Sequence, residues 1–119
     1  MLKSPQEIWE LYRTSWEEGD PQRRLDLFRQ SLSVDCVYTD PTMQTVGHEQ
    51  LAGYMDALRK NIPGVRFITT AFYSHHEFGA SKWNLLDGNG NVIAEGISFG
   101  EYNDRGLLLK MASFYKMPQ

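Results

Sequence analysis

Asp40 carries the most chemistry in this sequence. It closes the stretch Val37-Tyr38-Thr39-Asp40-Pro41-Thr42, in which three good strand formers run into a carboxylate and then into a proline that cannot donate to a sheet ladder. A strand of this kind can deliver its terminal carboxylate into a cavity. There, ionised and kept from water, the carboxylate can take a proton from a carbon next to a carbonyl. Burial would raise the Asp40 pKa toward the useful range. The same residues also read as a turn in which Asp40 accepts backbone N–H groups. Tyr12 is a second candidate, as a hydroxyl donor to a developing oxyanion or as a core aromatic. Trp9 and Trp16 flank it as pocket walls or as ordinary helix packing. His75 and His76 end a long strand and point to opposite faces, so one of them should face the interior, where a histidine can carry protons near neutral pH. His48 reads as a surface residue in the first turn of a helix. No metal site is expected, because His48, His75, His76 and Glu77 show no ligand spacing. Cys36, the single cysteine, lies in an apolar strand and reads as a buried, inert thiol. There is no phosphate-cradling glycine loop and no Gly-x-Ser-x-Gly elbow.

The elements that position these residues can be read in order. Ser4, Pro5 and Glu7 form a capping box that opens a helix carrying Ile8, Leu11 and Tyr12 at helical spacing. Glu17-Glu18-Gly19-Asp20 ends it, with Gly19 as the stop. Asp20 and Pro21 open a second helix whose apolar side is Leu25, Leu27, Phe28 and Leu32. A short strand follows over 34–39. A third helix runs over 47–61 with Leu51, Tyr54, Met55 and Leu58 inward, closed by Pro63-Gly64. Strands then fill 65–78, 80–87, 92–102 and 107–117, separated by turns rich in Asn, Asp and Gly, with Asp104-Arg105-Gly106 as a hairpin turn. Helices first and antiparallel strands last make an α+β fold, three helices covering one face of a curved sheet.

The strand at 92–102 is the most informative of these. Alternate residues face opposite sides. One side is Val92, Ala94, Gly96, Ser98, Gly100 and Tyr102, nearly bare; the other is Ile93, Glu95, Ile97, Phe99 and Glu101. The bare side implies a helix packed very close, or a cavity above it. Gly96 and Gly100 also read as bend or bulge residues.

The bulk numbers exclude several classes. At 119 residues the chain is the size of one domain, residues 1–119, with enough length for a core. It is 41% hydrophobic and 23% charged, which argues against disorder. Aromatics make up 13%, Trp9, Trp16 and Trp83 among them, enough to line a pocket or a broad interface. Net charge is −3 and no Lys/Arg run exceeds Arg23-Arg24, so a nucleic-acid partner is not expected. No run of 18 apolar residues occurs and Met1–Trp9 has no apolar leader core, so the expectation is a cytoplasmic protein without a membrane partner.

Three segments stand in a telling order: Leu11-Tyr12-Arg13-Thr14-Ser15-Trp16-Glu17-Glu18-Gly19-Asp20-Pro21, then 35–55 with Asp40-Pro41 and Gly47-His48-Glu49-Gln50-Leu51, then the hairpins of 96–115. Together they resemble the nuclear-transport-factor-2-like superfamily, specifically its SnoaL-like and ketosteroid-isomerase-like branch, over essentially the whole chain. The resemblance implies a cone-shaped, strongly curved, mostly antiparallel sheet wrapped around three N-terminal helices, a cystatin-like α+β roll. It also implies a pocket at the wide end and a homodimer formed through the outer sheet face. Carried over residue by residue, it makes Asp40 the catalytic base and Tyr12 the oxyanion donor. Ser98 falls where the isomerase branch has a second acid, a weaker donor than a neutral carboxylic acid. His76 is the preferred member of the histidine pair. Trp9, Trp16, Tyr38, Tyr54 and Trp83 become candidate substrate-binding walls. The implied function is a pocket for a small hydrophobic molecule, with cofactor-free isomerase or cyclase chemistry by proton abstraction next to a carbonyl. The alternative is a non-catalytic ligand-binding or dimerisation module of the same fold, since the fold hosts many activities. Epoxide hydrolysis would need an Asp–Arg–Asp cluster, which the sequence does not assemble.

Overall fold

A computed structural model describes residues 3–116. Helix α1 (Pro5–Ser15) starts as the sequence dictates: the Ser4 hydroxyl accepts from the Glu7 N–H, and the Glu7 carboxylate accepts from the Ser4 N–H. It ends before Gly19. The N–H groups of Trp16, Glu17 and Glu18 turn back to the carbonyls of Arg13, Thr14 and Ser15, tightening the last turn without a left-handed residue. Gly19 has another reason to be glycine: the Arg59 guanidinium lies where its side chain would stand. Helix α2 (Pro21–Ser31) is capped by Asp20. Of its expected apolar side, Phe28 and Leu32 are buried, whereas Leu25 and Leu27 are only half-buried. Arg24 goes inside instead, 2% exposed, bonded to Asp56 Oδ1 at 2.7 Å, the Glu18 carbonyl at 2.6 Å and the Ser15 carbonyl at 3.3 Å. It ties the three helices together, bonding carbonyls at and just beyond the end of α1 and a carboxylate of the third helix.

Strand β1 (Leu32–Thr39) follows α2 directly, then a three-residue strand, β2 (Gln44–Val46), which periodicity was too short to reveal. Helix α3 (Gly47–Asn61) has the expected limits, with Leu51 and Met55 fully buried. Strands β3 (Arg66–His75), β4 (Phe78–Leu86), β5 (Val92–Tyr102) and β6 (Leu108–Tyr115) complete a six-stranded sheet in the order β2-β1-β6-β5-β4-β3. The expected last strand reached 117, which lies outside the described residues. All neighbours are antiparallel except β1 and β6, which are parallel. The sheet is not closed, and register shifts at Thr69/Ala71, Leu85/Leu86 and Glu101/Tyr102 mark where its strands bend.

The core lies between the helices and the inner sheet face. Ile8, Trp9, Tyr12 and Trp16 of α1 meet Phe28, Leu51, Met55, Leu108 and Met111. The bare side of β5 faces this core, and side chains close over both of its glycines. A Cβ on Gly100 would stand 2.7 Å from Leu108 and 3.2 Å from the Trp9 ring, so a helix packs close there. A Cβ on Gly96 would overlap the Trp83 indole, which lies across the strand.

Candidate functional site

Tyr38, 3% exposed, points inward from β1, and Asp40 follows two residues later on the same side. The chain then turns, with the Asp40 N–H donating to the Met43 carbonyl. The two carboxylate oxygens of Asp40 have separate sets of partners. Oδ1 holds the turn, accepting from the Thr42 N–H (2.9 Å), the Thr42 hydroxyl (3.0 Å) and the Met43 N–H (2.9 Å). Oδ2 accepts from the hydroxyls of Tyr38 (2.7 Å) and Tyr54 (2.6 Å), brought together from β1 and α3. Partial burial alone would raise the Asp40 carboxyl, but the Tyr54 and Tyr38 hydroxyls and the Thr42 donors outweigh it and hold it below the usual carboxylate range. The expected upward shift is therefore reversed, because each of these donors favours the charged form.

Asp40 lines a cavity of about 290 Å³. From α1 come Trp9, Tyr12 and Trp16; from α3, Tyr54 and Leu58; from the sheet, Tyr38, Phe67, Trp83, Ser98 and Tyr115. The rings pack edge-on or tilted: Trp16–Tyr38 centroids are 5.4 Å apart, Trp16–Tyr54 5.9 Å and Phe67–Trp83 5.2 Å. Burial pushes the Tyr12, Tyr38 and Tyr54 phenols well above the usual tyrosine range, so all three are neutral hydrogen-bonding groups. Cys36, nearby in the core, is pushed up to about 11 by burial first and by Asp35 second.

Of the sequence candidates, Asp40, Tyr12 and Ser98 line this cavity, as do the proposed walls Trp9, Trp16, Tyr38, Tyr54 and Trp83. The Ser98 hydroxyl is engaged: it accepts from Trp83 Nε1 at 2.9 Å and pairs with the Ser113 hydroxyl at 2.8 Å. His76 is not brought to the cavity. It sits exposed in the β3–β4 turn with φ +49°, its Nδ1 3.2 Å from His75 Nδ1. His75 is exposed as well, because the hairpin tip runs past the residues that the helices cover, so neither histidine faces the interior. His48 is in the first turn of α3 as expected, but half-buried, with Nε2 3.0 Å from the Ser33 carbonyl.

Sequence reasoning missed Thr42, Ser113, Tyr115 and Arg13. Counting by two along β6 from buried Met111 reaches Ser113 and Tyr115 and would have found both. Arg13 carried no such signal. It lines the cavity with Nε bonded to Glu10 (3.1 Å) and Nη1 to Glu17 (2.8 Å) and the Phe67 carbonyl (2.6 Å), while Nη2 reaches only the Thr14 hydroxyl at 3.4 Å. Among the described residues there is no group of three His, Cys, Asp or Glu side chains placed to hold a metal ion, and no helix long and apolar enough to cross a membrane.

Known structures share this architecture. A protein of the SnoaL-like family from Agrobacterium tumefaciens, for which an isomerase activity has been suggested, superposes with a TM-score of 0.87 at 28% identity, covering 94% of this chain and 97% of its own. A SnoaL-like protein from Jannaschia sp., with a suggested polyketide cyclase role, gives 0.77 at 14% identity over 94% and 85%. A protein of cystatin-like fold from Methylobium petroleophilum gives 0.78 at 18% identity over 97% and 77%. The two lower identities speak for the fold alone. No curated protein matches the sequence. The family described as the SnoaL-like domain matches residues 9–117, nearly the whole chain and every element that lines the cavity, and the chain belongs to that family.

Proposed function

We propose that this protein binds a small, largely apolar molecule in the cavity and moves a proton beside a carbonyl group on it. One observation carries this: the Asp40 carboxylate and the neutral Tyr12 phenol line the same aromatic cavity, whose volume is at the small end of ligand sites, about 300–1,000 Å³. In the step proposed, a C–H bond next to the carbonyl breaks and its proton goes to an Asp40 oxygen. The electron pair moves to the carbonyl oxygen, and Tyr12 donates to the resulting enolate. Where a carbon–carbon double bond adjoins the deprotonated carbon, return of the proton to the far end of that double bond shifts it into conjugation and completes an isomerisation, with no net oxidation and no cofactor. One of the two tyrosine hydroxyls must leave Oδ2 for this to occur. The suggested isomerase activity of the Agrobacterium protein is in keeping with such chemistry.

A second reading, binding without catalysis, draws support from the five donors on Asp40, which lower its basicity. Prodan, a neutral naphthyl ketone whose emission shifts when it leaves water, separates the two. Proton chemistry requires that it bind and that its protons next to the carbonyl exchange in deuterium oxide faster with the protein than without, and that Asp40→Asn abolish the acceleration but keep the binding. Binding without exchange leaves the second reading. Absence of binding removes both.

We infer in addition that two copies pair through the outer sheet face, with no nucleic acid or membrane as partner. Tyr73, Ile97, Phe99 and Phe114 are 41–64% exposed there, and the Phe99 and Phe114 rings stack edge-on with centroids 5.8 Å apart. Lys82 lies in register with Ile97, and Lys110 with Glu101, so the patch carries both signs of charge at its margin, as a self-complementary face needs. Sedimentation should show a dimer, and Phe99→Lys should convert it to a folded monomer. A monomeric wild-type protein at tens of micromolar would overturn the pairing.

A further inference from the structure

The hydrogens around Asp40 can be assigned one by one, and the assignment says what the ligand carries. An ionised carboxylate is an acceptor only, with about four lone-pair sites, and Asp40 receives five donors at 2.6–3.0 Å. It has nothing left to offer a resting ligand. It does fix the direction of its neighbours: the Tyr38 and Tyr54 hydrogens both point at Oδ2, so their oxygens keep only lone pairs for anything else. The Thr42 hydroxyl, 3.0 Å from the Tyr54 oxygen, spends its own hydrogen on Asp40 Oδ1. The Trp83 N–H, a donor only, is spent on Ser98, and the Ser98 and Ser113 hydroxyls share one hydrogen bond, which uses one of their two hydrogens. Arg13 is held by Glu10, Glu17 and the Phe67 carbonyl. Lys116, the remaining charged lining residue, is exposed. The Tyr115 hydroxyl, near Asp40, Thr42 and Tyr54, is a further donor in the lining, and so is that of Tyr12. The polar side chain beside the Tyr12 hydroxyl is the Trp16 indole, which can only donate, so the Tyr12 hydrogen is available. Asp40 and Tyr54 lie close enough to Tyr12 to act on it electrostatically.

We infer that the cavity selects a hydroxyl group on its apolar ligand: Tyr12 donates to the hydroxyl oxygen, and Tyr38 or Tyr54 accepts the hydroxyl hydrogen. A phenol O–H that donates to a carboxylate has a more electron-rich oxygen, so the two tyrosines are strengthened as acceptors. A ketone uses the Tyr12 donor and leaves the acceptors without a partner. A hydrocarbon uses neither. This rests on the binding half of the reading above and is independent of whether Asp40 is a base.

The test is competition against prodan by three ligands of one skeleton: β-naphthol, methyl β-naphthyl ketone and β-methylnaphthalene. Two hydrogen bonds of ordinary strength predict that the naphthol competes about tenfold better than the hydrocarbon, with the ketone between them. Asp40→Asn supplies the directional control. Its amide N–H donates to a tyrosine oxygen and frees that tyrosine's hydrogen for the cavity, so the ratio of ketone to naphthol affinity should rise. Tyr38→Phe and Tyr54→Phe are the backup variants, and at least one should shrink the naphthol preference. Three affinities within twofold of one another, or a ketone that binds best to the wild type, overturn the inference and leave the pocket as an apolar site. If prodan itself does not bind, the binding reading fails instead.

Discussion

Tyr54→Phe tests whether Asp40 is held as an anion by its tyrosines. The substitution deletes one hydroxyl, removing a 2.6 Å hydrogen bond to Oδ2 while keeping the ring that packs on Trp16 and Tyr38. A hydrogen bond to a charged group is worth about 1.5–3 kcal/mol, and because Asp40 is only partly buried solvent screening brings the figure just below that range, to about 1.4 kcal/mol. The sign follows from the direction of the Asp40 shift. Its folded pKa lies below the unfolded value, so its contribution is present above the unfolded pKa and is lost as pH falls through the folded one. Tyr54→Phe should therefore destabilise at about pH 7 and lose most of its effect once Asp40 is protonated. If the whole loss runs through the carboxylate, about 1.4 kcal/mol corresponds to a rise of about one unit in the folded pKa of Asp40. Two independent measurements must agree. Urea unfolding of both proteins at neutral and acidic pH, at one fixed protein concentration, gives the energy, and a carboxyl-carbon NMR titration of Asp40 gives the pKa. A destabilisation that is equal at both pH values, with an unmoved Asp40 titration, would refute the reasoning and make the Tyr54 hydroxyl a neutral packing contact.

Other outcomes follow from single positions. Gly96→Ala places a methyl group in the Trp83 indole, so it should cost about 1–3 kcal/mol and weaken prodan binding, read by urea unfolding and by fluorescence titration. His76→Gly relieves the only non-glycine positive φ among the described residues. It should raise stability by up to about 1 kcal/mol and leave prodan affinity unchanged; a weakened affinity would return His76 to the site. Cys36 is buried, and its thiol is pushed up to about 11, so iodoacetamide should alkylate it far more slowly in the folded protein than in urea, as mass spectrometry will show.

Much of the scaffold was legible because its signals are local. Caps act within one turn, so the starts of α1 and α2 could be read from Ser4, Pro5, Glu7, Asp20 and Pro21. Apolar spacing placed α3 at its observed limits, and the turn residues separated β4, β5 and β6. The errors occur where a long-range contact overrode a local habit. Gly19 read as a helix stop because glycine often is one, but α1 ends before it, and the Arg59 guanidinium, forty residues away in the chain, packs where its side chain would stand. Arg24 carried no signal of burial in its own neighbourhood, but the Ser15 and Glu18 carbonyls and the Asp56 carboxylate hold it inside.

The candidate site divides along the same line. Residue types and alternation put Asp40 and Tyr12 forward, because a strand-ending carboxylate and an inward helical stripe are properties of neighbouring residues, and the family resemblance added the set of aromatic walls. What those residues do to one another depends on where separate elements meet. The sequence alone predicted an upward shift for Asp40, since burial was the only influence visible in one dimension. The fold brings Tyr38 from β1 and Tyr54 from α3 onto one oxygen, while the turn saturates the other, and the shift changes sign. It likewise spends the Ser98 hydroxyl on Trp83 and Ser113, and carries His76 to an exposed hairpin tip. Which side chains are near Asp40 was thus partly a matter of pattern. Which hydrogens point at it, and so whether it serves as a base or as an anchor, is set by distances of a few ångströms between residues remote in sequence, and only the packed tertiary structure fixes those.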